Sequence, residues 1–205
     1  MIEVEKKFTV TPSFEDVLAR EGAVLATEKE FLDSYYDFTD FKLSLQDCWL
    51  RKRNSSWELK HRDKHSKSKS TTTDSYYEVD NDREILRSVA TYVSMDTSVK
   101  SVQEFVTGSM LQVFASFKTR RMRYEIDGLF IDLDSASFGY NVGEIEMMVG
   151  SEDDIADAEI KIESLAKRLG INWKNNHHGK LGEYLYLNNP TLFKQLVENK
   201  ILRGK

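Results

Sequence analysis

Acidic and basic residues in this chain recur two positions apart. Glu3, Glu5 and Lys7 alternate at the start, and Arg51 and Arg53 follow Trp49 at the same spacing. Glu58 and Lys60, then Tyr76, Glu78 and Asp80, then Arg121, Arg123 and Glu125 repeat it, as do Asp132 with Asp134 and Glu144 with Glu146. In a β-strand, residues i, i+2 and i+4 line one face, so each set would project from one side of a strand. Such a collection has a natural chemistry. Hard divalent cations prefer carboxylate oxygens, and Mg²⁺ takes one or two of them along with waters and phosphate oxygens. Guanidinium forks and ammonium groups match phosphate oxygens. Acids holding a metal, and metal and bases together holding a polyphosphate, would run phosphoryl transfer to water. No G-x-x-x-x-G-K segment is present, which excludes a P-loop mechanism.

The elements that carry these residues follow from what lies between them. The alternate positions are apolar: Val4, Leu50, Leu59, Val79, Ile131, Leu133, Ile145 and Met147. One strand of this kind is most simply a half-exposed strand with a wet face. An ordinary wet face, however, mixes Thr, Ser, Gln and Lys, and here strand after strand carries Glu, Asp and Arg. Like charges about 7 Å apart along a strand repel unless a cation sits between them. One acidic and one basic group of strands therefore predict a closed barrel with a charged interior, its apolar faces turned outward against helices.

Around the strands, a helix is predicted from Thr11 to Glu21, with Gly22 as its stop. A strand spans Ala26–Phe38, and Asp47–Arg53 with Ser56–His61 form a hairpin about Asn54 and Ser55. Residues 62–74 are Lys-, Ser- and Thr-rich and read as a mobile loop. After a strand over Ser75–Asp80, Asn81 caps a helix that buries Ile85, Leu86, Val89 and Val93, and a shorter helix covers Thr97–Thr107. Strands over Leu111–Asp127, Leu129–Asp134 and Val142–Val149 follow, the first two joined by the turn signal Asp127-Gly128. Ser151–Leu169 is a helix with Ser151 and Asp154 as a capping box and Gly170 as its stop. The C-terminal segment forms two helical pieces about Asn189-Pro190.

At 205 residues the chain is expected to be one domain over 1–205. A net charge of −5 argues against a broad basic patch, so no nucleic-acid partner is expected. No apolar run is long enough to span a membrane, and no signal-peptide h-region opens the chain. Cys48 is the single cysteine, which excludes a disulfide framework and a Cys-rich zinc site and leaves oxygen ligands for any metal. A cytoplasmic monomer is the expectation.

Glu3-Val4-Glu5-Lys6-Lys7 resembles the E-x-E-x-K signature of the CYTH, or triphosphate tunnel metalloenzyme, superfamily. Further matches follow in the family's order: Asp33–Asp37, Trp49–Arg53, Trp57–Lys60, Glu78, Arg121, Asp132, Phe138–Glu146 and His178–Lys180. Within the superfamily the chain is most similar to the animal-type thiamine triphosphatases, through Trp49 beside the arginines and the Phe138–Glu146 segment. The resemblance implies an α+β fold: a closed eight-stranded antiparallel β-barrel, or triphosphate tunnel, with peripheral helices. It implies that Lys7, Arg51, Arg53, Lys60, Arg121 and Lys180 grip phosphate oxygens. Glu3, Glu5, Asp132, Glu144 and Glu146 would hold one or two Mg²⁺, with Mn²⁺ as a substitute. Glu78 would position a basic residue or the ligand, Trp49 would stack on the thiamine heterocycle, and Lys60, Tyr35 and Glu146 would act at the reacting phosphate. Arg123 and Asp134 share the inward parity.

The implied reaction is Mg²⁺-dependent hydrolysis of thiamine triphosphate to thiamine diphosphate and phosphate. An inorganic tripolyphosphatase, a broader nucleoside or RNA 5′-triphosphatase, and a non-catalytic triphosphate-binding module are the alternatives. Trp49 as stacking platform and Trp49 as core residue both stay open. His177 and His178 read as surface residues, the cluster of Arg62, Lys64, Lys67 and Lys69 as a solvated loop, and Cys48 as a buried apolar residue.

Overall fold

The computed structural model describes residues 1–62, 74–93, 99–171 and 178–204. Its strands are β1 (Ile2–Phe8), β2 (Val24–Asp37), β3 (Cys48–Arg53), β4 (Ser56–His61), β5 (Asp74–Val79), β6 (Gln112–Ile126), β7 (Leu129–Ala136) and β8 (Tyr140–Val149). They pair in the order β1-β5-β4-β3-β2-β6-β7-β8, always antiparallel, and β8 pairs with β1 to close the ring. The register opposes acid and base directly: Asp33 faces Arg53, Arg51 faces Glu58, Lys60 faces Glu78, Arg121 faces Asp134, Arg123 faces Asp132, and Lys7 faces Glu144. Opposed charges at cross-strand positions stabilise pairing, so the ring is built to carry charge on one face.

The other face is apolar and is covered by helices α1 (Phe14–Arg20), α2 (Asp82–Ala90), α3 (Val102–Gly108), α4 (Ile155–Arg168), α5 (Lys180–Asn188) and α6 (Pro190–Glu198). Val4, Ile131 and Ile145 pack with Leu18 of α1 and Ile162 of α4. Leu50 and Leu59 pack with Ile85 and Val89 of α2 and Phe105 of α3. All of these are essentially fully buried, and each such side chain contributes about 1.5–3 kcal/mol through burial. The third cluster differs. Leu185 of α5 and Leu192 and Leu196 of α6 pack against Tyr35, Trp49, Tyr76, Ala115 and Phe117, so these helices cover one mouth of the ring. The outer face of β2 and β6 carries surface pairs instead: Ser34 meets Ser116 at 3.0 Å, and Glu28 meets Arg120 at 2.6 Å.

Two close approaches fix the ring locally. A Cβ on Gly143 would lie 2.2 Å from Phe8 Cζ, so the buried Phe8 ring lies flat over its cross-strand partner and would have to move for any side chain there. Asp127 and Gly128 have φ of 53° and 74°, the paired positive values of a type I′ hairpin. As expected, Asn81 caps α2, accepting from the Arg83 and Glu84 amides at 3.0 and 3.4 Å. Asn189 caps α6 with Pro190 in its first turn.

Several boundaries differ. α1 begins at Phe14 rather than Thr11, because proline drives its predecessor toward extended backbone. α4 begins at Ile155 after a 3₁₀ turn over Glu152–Asp154, and Ser151 Oγ meets the Asp154 carboxylate at 2.9 Å instead of capping a backbone amide. α3 starts at Val102, capped by Ser101. Residues 63–73, most of the expected loop, lie outside the described residues.

Candidate functional site

The inward faces enclose a cavity of about 1350 Å³. Glu3, Glu5 and Lys7 reach it from β1, Tyr35 from β2, Trp49, Arg51 and Arg53 from β3, Lys60 from β4, and Glu78 from β5. Arg121 comes from β6, Glu144 and Glu146 from β8, and Lys180 from the first turn of α5. Asp132, the remaining predicted residue, is fully buried in the wall behind Arg121 and Arg123. The inward parity read from the sequence thus brings the predicted residues to one space.

Ion pairs hold these groups in place. Arg53 makes a fork to Asp33 at 2.8 and 3.0 Å, and Arg51 one to Glu58 Oε2 at 2.8 and 2.6 Å. Lys60 meets Glu3, lies 3.3 Å from Glu5 and 3.7 Å from Glu78, and Glu78 is also 3.8 Å from Arg51. Lys7 meets Glu5 at 2.6 Å. Arg121 forks onto Asp134 at 2.7 and 2.6 Å and reaches Glu144 at 3.1 Å, while Lys180 meets Asp134 and lies 3.7 Å from Glu144. Arg123 forks onto Asp132 at 2.7 and 2.6 Å and also meets Glu146. Charges taken out of water are tolerable only when paired in this way.

The pairing is uneven, and the acidities show where. Glu144 sits well below the usual carboxylate range: burial pushes its acidity constant up, but Lys180, Lys7, Arg121 and Lys60 together outweigh it. Asp134 is likewise lowered, Lys180 and Arg121 overcoming burial. Glu146 is pushed up to about 9, first by burial and then by the negative charges of Glu3 and Asp132, which Arg123 and Arg121 do not offset. Glu5 is raised, chiefly by burial. Lys60 and Arg121 are both held well above their ordinary values, the surrounding carboxylates prevailing over burial.

Asp132, Glu144 and Glu146 each present an oxygen, all within 4.8 Å of one another. Glu146 Oε2 is buried and has no hydrogen-bond partner among the described residues. An oxygen-only donor set with an orphaned carboxylate oxygen fits a hard divalent cation. Glu3 and Glu5, expected to hold the metal with them, meet Lys60 and Lys7. Tyr35 is buried beside Phe114 and Phe117 and stands opposite Arg51 in the β2–β3 register.

The CYTH domain matches residues 1–177 of the chain. The chain belongs to the CYTH family. It is 32% identical to human thiamine-triphosphatase over 209 aligned residues, covering 97% of this chain and 90% of that protein, and equally so to the Macaca fascicularis enzyme of the same name. Among solved structures, this CYTH chain resembles the PH1819 protein of Pyrococcus horikoshii OT3, with a TM-score of 0.61, 21% identity, and coverage of 90% of this chain and 98% of that one. The PH1012 protein of the same organism gives 0.59 at 20% identity, covering 91% and 99%. These two likenesses concern the fold.

The structure gives roles to residues for which the sequence suggests none. Asp33 and Glu58 anchor the two β3 arginines. Asp47 lines the cavity at the mouth beside Trp49; its spacing of two from Trp49 was the available signal. His178 corrects an expectation: it is buried, with Nε2 donating to the Arg203 carbonyl at 2.8 Å and the ring 5.1 Å from Phe193. Residues 172–177, His177 among them, and Lys64, Lys67 and Lys69 lie outside the described residues. Cys48 is buried against the α2–α3 cluster, opposite Trp49, as expected.

Proposed function

We propose that this chain is a metal-dependent triphosphate hydrolase whose preferred substrate is thiamine triphosphate, cleaved to thiamine diphosphate and orthophosphate inside the ring, which serves as a triphosphate tunnel. The observation that carries this reading is the meeting, in one cavity, of a carboxylate cluster with an orphaned oxygen and the cations Lys7, Arg51, Arg53, Lys60, Arg121 and Lys180. The thiamine-triphosphatase relatives support the substrate.

Arg51, Arg53, Lys60, Arg121, Lys7 and Lys180 bind the phosphate oxygens, exchanging part of their carboxylate contacts for phosphate ones. Asp132, Glu144 and Glu146 would hold Mg²⁺, which when bound neutralises charge on the transferring phosphoryl group and lowers the acidity constant of water beside it. Glu3 and Glu5 complete that acidic side and keep Lys60 and Lys7 extended. Glu78 holds Lys60 and Arg51 toward the same space. Tyr35 and Lys60 donate to the oxygens of the reacting phosphate. A water oxygen attacks the terminal phosphorus, the bridging P–O bond breaks, and the proton of the water leaves to solvent. Trp49 forms the wall against which the heterocycle lies.

The test is phosphate release with Mg²⁺ from thiamine triphosphate, tripolyphosphate and ATP, with Trp49→Ala as companion. A strong preference for thiamine triphosphate that collapses in the variant is expected. One observation favours a second reading, inorganic tripolyphosphatase: Trp49 is only 7% exposed and packs with Tyr35 and Phe117. Preference for tripolyphosphate, indifferent to Trp49, would establish that alternative.

A further inference from the structure

Asp47 lies at the mouth of the cavity and closes the short 3₁₀ turn Ser44–Gln46 with φ 57° and ψ 39°. That left-handed backbone suits glycine, asparagine and aspartate, and disfavours other residues. Glycine would satisfy the backbone alone, so the carboxylate needs its own reason. Its Oδ1 accepts the Trp49 Nε1–H at 2.8 Å and the Tyr76 O–H at 3.1 Å, and its Oδ2 lies 2.7 Å from Arg62 Nε. Arg62 in turn donates to the Tyr76 hydroxyl at 3.2 Å and lies over the Tyr76 ring, 4.6 Å from its centroid. On the cavity side, Lys60 lies 5.0 Å from the same ring.

We infer that Asp47 is a positioning residue for substrate choice: it fixes the plane of the Trp49 indole, with Tyr76 beside it, as a platform for the flat aromatic ring of an organic triphosphate. The inference rests on the proposed role of Trp49. An indole is a broad, rigid surface, but it can turn about two side-chain torsions. Leu50 and Cys48, its chain neighbours, point into the opposite cluster, and the apolar packing of Trp49 with Tyr35, Tyr76 and Phe117 confines the ring without giving its N–H a direction. The hydrogen bond to Asp47 gives it one. Trp49 and Arg51 are two apart on one strand face, so the fixed ring continues, about 7 Å on, into the phosphate-binding arginines. A substrate without an aromatic end, such as tripolyphosphate, uses the arginines and not the platform.

Two substitutions suit the left-handed backbone and separate the roles. Asp47→Gly removes the acceptor and relieves the backbone; Asp47→Asn keeps an acceptor oxygen for the indole. For Asp47→Gly the KM for thiamine triphosphate should rise about tenfold, the size of one lost hydrogen bond, with KM for tripolyphosphate within about twofold of the parent. Asp47→Asn should recover most of the loss. In Asp47→Gly/Trp49→Ala the two effects should not add, since both remove one platform. In ¹⁵N–¹H spectra the Trp49 indole resonance, assigned by Trp49→Phe, should move in Asp47→Gly and stay in Asp47→Asn. An equal rise of KM for both substrates, additive effects, or an unmoved indole resonance in Asp47→Gly would overturn the inference. Should Trp49→Ala leave thiamine triphosphate turnover unchanged, the proposed role of Trp49 falls, while the indole resonance still decides whether Asp47 holds the ring.

Discussion

Glu144 and Glu146 sit two residues apart on one face of β8, both buried, and their carboxyl groups are driven in opposite directions. Around Glu144 the ring supplies Lys180, Lys7, Arg121 and Lys60, and the carboxylate stays ionised far below its ordinary range. Around Glu146, burial and then the charges of Glu3 and Asp132 push the group up to about 9, and Arg123 and Arg121 do not offset them. Two glutamates on one strand face thus mark two halves of the cavity: one where cations outweigh burial, and one where burial and neighbouring carboxylates outweigh the arginine that meets Glu146. A phosphate-binding surface needs the first; a metal-dependent hydrolase needs the second as well.

The largest expected effect comes from removing Arg121, which three buried carboxylates share. Arg121→Ala would leave Asp132, Asp134 and Glu144 buried without their shared partner and should destabilise the fold by about 3–5 kcal/mol, seen as a steep fall in Tm. A loss under about 1 kcal/mol would mean that Lys180 and Arg123 already suffice and that Arg121 is free for phosphate. Next in size, Glu146→Gln should cut turnover about a hundredfold at limiting Mg²⁺, by removal of a ligand of a charge-stabilising metal, while circular dichroism stays unchanged. Unchanged turnover would remove Glu146 from the metal site.

The third prediction uses the opposite signs directly. Glu146 has a raised acidity constant, so its contribution to the stability of the metal-free protein is fully present below its ordinary value of 4.5 and is lost as pH rises toward about 9. Glu144 is lowered, so its contribution is present above 4.5 and is lost only as pH falls into strong acid. At pH 8 without metal, Glu146→Gln should therefore stabilise the protein by on the order of 2 kcal/mol, and Glu144→Gln should destabilise it by a similar amount. Denaturant titrations at pH 6 and pH 8 check both; two variants moving the same way would dissolve the contrast. The smallest effect is expected at Tyr76→Phe, which deletes one hydroxyl from Asp47 and should raise KM for thiamine triphosphate about threefold or less.

Much of this was legible in the sequence because side-chain alternation is local: each strand announces its own faces through a period of two. Glu3, Glu5, Arg51, Arg53, Lys60, Glu144 and Glu146 were placed inward on that ground alone, and they line the cavity. The ring order, with β5 between β1 and β4 and β2 beside β6, was not legible, since pairing across long separations leaves no local mark. Nor was the difference between Glu144 and Glu146, because the two differ in what the register sets opposite them: Lys7 faces Glu144, whereas Glu5 and Phe130 face Glu146. His178 reads as a solvated residue beside another histidine, and only the C-terminal segment folding back to offer the Arg203 carbonyl buries it. Asp47 ends a turn, where alternation no longer applies, although 47, 49, 51 and 53 keep the same spacing.

The most direct measurement is calorimetric titration of the metal-free protein with Mg²⁺ at pH 7 in two buffers of different ionisation enthalpy, repeated above pH 9 and with Glu146→Gln. With Glu146 pushed up to about 9, a cation bound there should release about one proton per ion at pH 7 and almost none above pH 9, with apparent affinity rising about tenfold per pH unit between. In Glu146→Gln the proton release should vanish and the affinity fall. Tight binding at pH 7 with no proton released, or unaltered binding in Glu146→Gln, would contradict a metal site at the cation-poor half of the cavity.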